Sequence, residues 1–264
     1  MFKCKRMFSK SIFSNYLLPA LILISCEQLT DESSKETISE GIQFVQVYKT
    51  FKEPECPHGN CAEIKITSIE SEENHRINKF IDEKLSETIL AFTRSEKANS
   101  LNQGADFFFN DYKEFKQAFP ESRTSWELNI RMDVDRISSS KDWISLKVET
   151  YSYTGGAHPN TYTEYVNLTN KGKILRPKDW VSDRQLLVQI AEDAFRKDKN
   201  ITASQDLGDA GYIFEDENFS LPQNIGFNDG KLILHYNDYE ISSYAEGATV
   251  IEIPLKDLKN AVKL

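Results

Sequence analysis

Long apolar runs are scarce in this 264-residue chain. The exception, LLPALILIS, ends at Ser25 and follows MFKCKRMFSKSIFSNY, which carries four bases (Lys3, Lys5, Arg6, Lys10) and no acid. A basic start, a short apolar run and a small residue at its end make a secretory signal, and the run falls short of the roughly 20 residues a membrane span needs. No later segment is apolar enough to cross a bilayer.

Positive charge is scarce too. The formal net charge is -9, and without residues 1–25 it falls to -13. Nucleic-acid binding needs a basic face, so that class of partner is excluded. Such an acidic surface gives solubility and also steers basic partners inward; composition alone leaves both readings open. Motifs of known chemistry are missing as well: there is no GxSxG, no HExxH and no glycine-rich phosphate loop after a strand, and the four histidines (His58, His75, His158, His235) lack ligand spacing. No cofactor is implied.

Cysteine is limited to four positions, Cys4, Cys26, Cys56 and Cys61. Cys4 leaves with the signal. Leu23-Ile24-Ser25-Cys26 resembles the lipobox of bacterial lipoproteins, which implies lipidation of Cys26 and anchoring to the cell envelope without a span, each buried methylene contributing about 0.8 kcal/mol. Residues 26–40 then read as a polar, disordered tether. In an oxidising compartment the two cysteines of CPHGNC form a small disulfide loop. A metal site on Cys56, His58 and Cys61 is the alternative.

The remainder alternates between two periods. GIQFVQVYKTF and CAEIKITSI alternate apolar with polar and predict strands. EENHRINKFIDEKLSETILAFTR spaces Ile77, Ile81, Leu85 and Ile89 on one helical face, and DFFFNDYKEFKQAFPE does the same with Phe108, Tyr112, Phe115 and Phe119. SWELNIRMDVDRI, DWISLKVETYSYT and TYTEYVNL predict an antiparallel meander. Beyond Lys173 come a helix over SDRQLLVQIAEDAFRKD capped by Ser182 or Asp183, a looser acidic stretch, a hairpin turning at Asp229-Gly230, and a last strand, ATVIEIPL. The class is α+β, antiparallel sheets packed with helices in two small subdomains, 41–170 and 171–264.

Two loops stand out as candidate sites. Tyr153, Thr154, Gly155, Gly156, Ala157 and His158 form the tip of a hairpin, where glycines permit unusual backbone and Pro159 fixes the chain that presents the imidazole. Tyr239, Glu240 and Tyr244 follow a strand, and their rings offer contact area at low entropic cost. His158 either binds a partner, holds its own turn, or acts as acid or base with Glu240 or Glu164.

YSYTGGAHPN, KILRPKDWV and the later segment HYNDYEISSYAEG resemble the extracytoplasmic region of RsiV-type anti-sigma factors, found also as the N-terminal part of PdaC-type peptidoglycan deacetylases, over residues 42–260. The resemblance implies a strand-helix-strand unit followed by a helix on an antiparallel sheet, and a non-catalytic module, since deacetylation in those relatives belongs to a separate metal-dependent domain. It implies lysozyme binding, with Tyr153 to His158 and Tyr239 to Tyr244 at or near the surface used. The expected protein is a lipid-anchored envelope binding module without metal or catalytic residue, recognising a lysozyme-like protein or a cell-wall glycan. A wall-polymer enzyme and a structural envelope lipoprotein are the alternatives.

Overall fold

The computed structural model describes residues 42–54, 56, 59–136, 143–215 and 217–264. The signal, Cys26, the tether, His58 and the SSSK turn lie outside the described residues. Among the described residues, eight strands in two sheets and four helices make up an α+β body. The first sheet has the order β1 (Val45–Lys52), β2 (Glu63–Glu70), β3 (Glu127–Arg136), β4 (Trp143–Tyr153), β5 (Asn160–Thr169). The second holds β6 (Asn224–Asn228), β7 (Lys231–Tyr236) and β8 (Thr249–Pro254), all antiparallel.

Between β2 and β3 lie α1 (His75–Leu90) and α2 (Leu101–Ala118), a crossover long enough for β2 and β3 to pair in parallel while every other pair in the sheet is antiparallel. Asn74 caps α1 by accepting the Ile77 N–H at 3.1 Å, and Ser100 caps α2 by accepting that of Gln103 at 3.2 Å. Alternate residues Leu128, Ile130, Met132, Ile144, Leu146, Val148 and Leu168 face these helices and meet Ile77, Ile81, Leu85, Ile89, Phe108 and Tyr112 in the first core. The Cys56–Cys61 disulfide closes the turn before β2 with its Cα atoms 5.6 Å apart. Both sulfurs being bonded, no thiolates remain for the metal alternative. The Tyr112 hydroxyl fastens this turn to α2, 2.5 Å from the Asn60 carbonyl.

A short helix, α3 (Pro177–Trp180), leads into α4 (Arg184–Lys199), which is capped by the Asp183 side chain on the Leu186 N–H at 3.0 Å. Leu187, Ala191 and Phe195 of α4 pack on Phe227, Leu232, Leu234, Ile251 and Ile253 to form the second core. Trp143 sits on β4, yet its ring belongs to this core, 6.4 Å from that of Phe227.

The sheets meet through a polar seam. β5 and β6 are edge strands, each with backbone groups turned away from its own sheet. The Phe227 N–H of β6 donates to Ser145 Oγ at 3.2 Å, and the Ile225 carbonyl accepts from Asn167 Nδ2 at 2.8 Å. Ser145 and Asn167 are joined at 2.7 Å. In return the Asn237 side chain, beyond β7, accepts the Thr163 N–H at 2.7 Å and donates to its carbonyl at 3.0 Å, mimicking a neighbouring strand. All three side chains are buried. Each half thus closes the edge of the other, and each bond lost here leaves a buried group unpaired at about 1–3 kcal/mol.

Two expectations need correction. The second helix begins at Leu101, five residues before the segment from Asp106 that announced it, because Ser100 supplies its cap. Phe119, placed on the buried stripe, is 59% exposed: it is the cap residue just beyond the last helical residue, Ala118, and its backbone has left the helix, so the face shared by Phe108 and Tyr112 stops short of it.

Gly226 is required by close approach. A Cβ there would stand 2.0 Å from Tyr165 Cδ1 across the seam. Gly226→Ala is expected to destabilise the protein by about 1–3 kcal/mol, read from the urea midpoint. Gly104→Ala, whose Cβ would meet Ile89 Cγ2 at an ordinary 3.5 Å inside α2, should instead be neutral or stabilise by up to about 1 kcal/mol.

Candidate functional site

The loop joining β4 to β5 carries Thr154 to Pro159, and the glycines there play unequal parts. Gly155 has φ +94°, closed to other residues, and lies against Thr124 and Phe115; Gly156 shows no such backbone. Tyr153 is half-buried, and Thr154 to Ala157 are exposed. Nδ1 of His158 lies 2.8 Å from the Pro159 carbonyl, a geometry in which the ring donates and holds its own turn.

The second loop folds back beside it. Tyr244, in a 3-10 turn over Tyr244–Glu246, stacks on His158 with ring centres 4.2 Å apart and planes at 23°. Tyr239 also stacks on Tyr244, at 5.4 Å and 25°. The order His158, Tyr244, Tyr239 forms a ledge of three rings drawn from both halves of the chain. Tyr239 is 61% exposed and Tyr244 37%.

Tyr239 holds φ +65°, a left-handed conformation that costs a residue with a Cβ about 1–2 kcal/mol. Its turn is fixed from several sides. The Glu240 N–H donates to the Asn237 carbonyl at 3.0 Å, and the Glu240 carboxylate accepts the Asn237 N–H at 2.9 Å. Thr161 Oγ1 donates to Asp238 at 2.9 Å, and Asn237 grips Thr163. Strain that survives because its surroundings over-determine it is a mark of functional sites.

Glu240 itself is turned to the backbone of this turn: its side chain is largely accessible, but its carboxyl is desolvated, which raises its pKa against the opposing hydrogen bond from Asn237. Glu164 lies in an ion pair with Lys84 at 2.6 Å. Both carboxylates considered as partners for His158 are held in other bonds. Among the described residues, no three His, Cys, Asp or Glu side chains converge as metal ligands, and no helix is long and apolar enough to cross a membrane.

The structure therefore brings His158, Tyr239 and Tyr244 together and ties Glu240 to the Asn237 backbone. Sequence reading missed Asn237, Asp238, Thr161 and Thr163, which hold the ledge. Asn237 directly follows a strand of buried residues, a position where a polar side chain signals a buried contact, but its target lies 74 residues away.

Residues 173–256 match the family model described as "Protein of unknown function (DUF3298)", and residues 55–161 match the one described as "Deacetylase PdaC". Among solved structures, the chain is similar to a DUF3298 family protein from Pseudomonas aeruginosa, with 16% identity, a TM-score of 0.64, and coverage of 85% of this chain and 96% of that one. It is also similar to a DUF3298 family member from Bacteroides fragilis, with 18% identity, a TM-score of 0.66, and coverage of 86% and 95%. These likenesses are of fold. No curated protein matches.

Asn237→Ala is expected to cost about 1–3 kcal/mol by leaving the Thr163 backbone groups unpaired. Tyr239→Gly should be neutral or stabilise by up to about 1 kcal/mol, since glycine accepts the left-handed turn. Chemical denaturation of the two variants side by side checks the opposite signs.

Proposed function

We propose that this chain is a lipid-anchored, extracytoplasmic binding module without catalytic turnover, and that the ledge of His158, Tyr244 and Tyr239 is the surface it presents. The observation that carries the reading is the ledge itself: three stacked rings from two loops, Tyr239 and Tyr244 exposed and His158 half-buried, with Tyr239 on a turn held at the cost of backbone strain. Rigid aromatic anchors lose little entropy on association and dominate the energetics of interfaces. The loop before β5 and the loop after β7 meet only because the seam closes, so the surface exists in the folded body alone.

The favoured partner is a basic, lysozyme-like protein. The acidic balance of the chain supports it, since complementary charge raises the association rate. The resemblance of the two loops to those of the lysozyme-binding RsiV-type region supports it independently. Anchoring at Cys26 through the lipobox, with a polar tether to residue 40, would hold the ledge outside the membrane. Residues 55–161, which match the family model described as "Deacetylase PdaC", serve binding here.

Titration calorimetry of the soluble form from residue 27 onward, against lysozyme and against soluble muropeptides, tests this. Binding to lysozyme should weaken with added salt and fall at least tenfold in Tyr239→Gly and in Tyr244→Ala, both folded by circular dichroism. A response to muropeptides alone would reassign the partner to a wall glycan. Silence toward both overturns the reading.

A further inference from the structure

His235 lies where the two halves of the molecule press together. It is on β7, paired across the sheet with Asn224 of β6 and Val250 of β8, neither of which carries charge. It is only 7% exposed, and its Nε2 is buried without a hydrogen-bond partner. The Tyr165 ring of β5 faces it at 6.1 Å. The charged groups around it are Lys147 and Glu149 of β4, themselves paired at 2.7 Å, and Asp238 of the following loop. Two residues further on, Asn237 grips the β5 edge.

We propose that His235 is an acid-operated latch on the seam: a proton on its buried ring loosens the Asn237 grip on Thr163 and, with it, the turn that carries Tyr239. A neutral imidazole fits this site, whereas an imidazolium would sit desolvated beside the Lys147 ammonium. Burial first, then Lys147, lowers the proton affinity of the ring below its ordinary value of 6.5, while Glu149, Asn237 and Asp238 oppose them. The folded state therefore binds this proton less readily than the open one. Stability from the neutral ring is complete above about pH 6.5 and is lost as pH falls toward the lowered folded value. The turn at Tyr239 stores strain, so releasing Asn237 removes one of the constraints that keep it left-handed.

Glu240 acts in the other direction. Its raised carboxyl pKa means that the folded state takes up this proton more readily, so its titration opposes loosening in acid. The response to acid thus separates the two groups by sign.

The consequence for partner binding rests on the ledge being the binding surface; the opening itself does not. Hydrogen exchange by mass spectrometry on the form from residue 27 onward, at about pH 7.5 and about pH 5, and corrected for the intrinsic rate, reads the opening directly. Protection of 161–165 and 237–244 should fall on acidification, by at most about tenfold per pH unit, relative to α1 and α4. His235→Asn and His235→Phe should abolish that difference, and Glu240→Gln should retain it. The proposal is overturned if the wild type shows no selective loss, or if both His235 variants lose protection as the wild type does. Should both variants fail to fold, titration of the His235 ring by NMR in the wild type decides: the Thr163 amide shift must follow the same midpoint. A latch that opens while neutral-pH binding is absent would sink the functional reading and leave this inference standing.

Discussion

The constraint on which the rest depends is the mutual closure of two strand edges. A sheet edge exposes N–H and carbonyl groups that invite pairing with other chains, and proteins commonly blunt it with charge, proline or a covering element. Here the edge of β6 is met by Ser145 and Asn167, and the edge of β5 by Asn237. The Leu175 N–H, bonded to the Asn167 carbonyl at 2.8 Å, continues the cover along β5. An asparagine amide sets an N–H donor beside a carbonyl acceptor in one plane, the pair a neighbouring strand would offer, so it can close an edge without adding a strand. Because these groups are buried, the network gains from low dielectric when complete and is costly when broken.

The ledge is a product of that closure. Asn237 serves both as the clamp on Thr163 and as the first residue of the strained turn, so the geometry that joins the halves also aims Tyr239. Tyr244 then bridges to His158 from the other half. His158, which sequence alone left between recognition, turn-holding and catalysis, is seen holding its loop through the Pro159 carbonyl while lending its face to the stack. The two roles are compatible because one uses the ring edge and the other the ring face.

Much of the architecture was legible. Period-two alternation located the strands, the spacing of Ile77, Ile81, Leu85 and Ile89 located α1, and Asp229-Gly230 marked the hairpin, both residues lying in the left-handed region. The two loops of the ledge stood out by composition. Parallel pairing of β2 with β3 did not, because periodicity reports which face is buried and says nothing of the neighbour across the ladder. The seam was silent for a different reason: Ser145 lies between Ile144 and Leu146 and Asn167 between Val166 and Leu168, and alternation assigns such polar positions to solvent, while the position of Asn237 after a buried strand hints at a contact without naming its target. His235 lies inside a strand whose sequence gives no sign of what covers it, and only the packing of Tyr165 from the first sheet shows that it is enclosed.

Trp143 carries a further consequence. Its backbone is a rung of one sheet and its indole is a filling of the other sheet's core, so the boundary between the two matched sequence regions is not a line along which the body divides. Excising either portion would bare a hole where the ring sits, or the ring without its socket. The molecule is then expected to melt as a single cooperative body, with this indole as an internal gauge of whether its two parts remain joined.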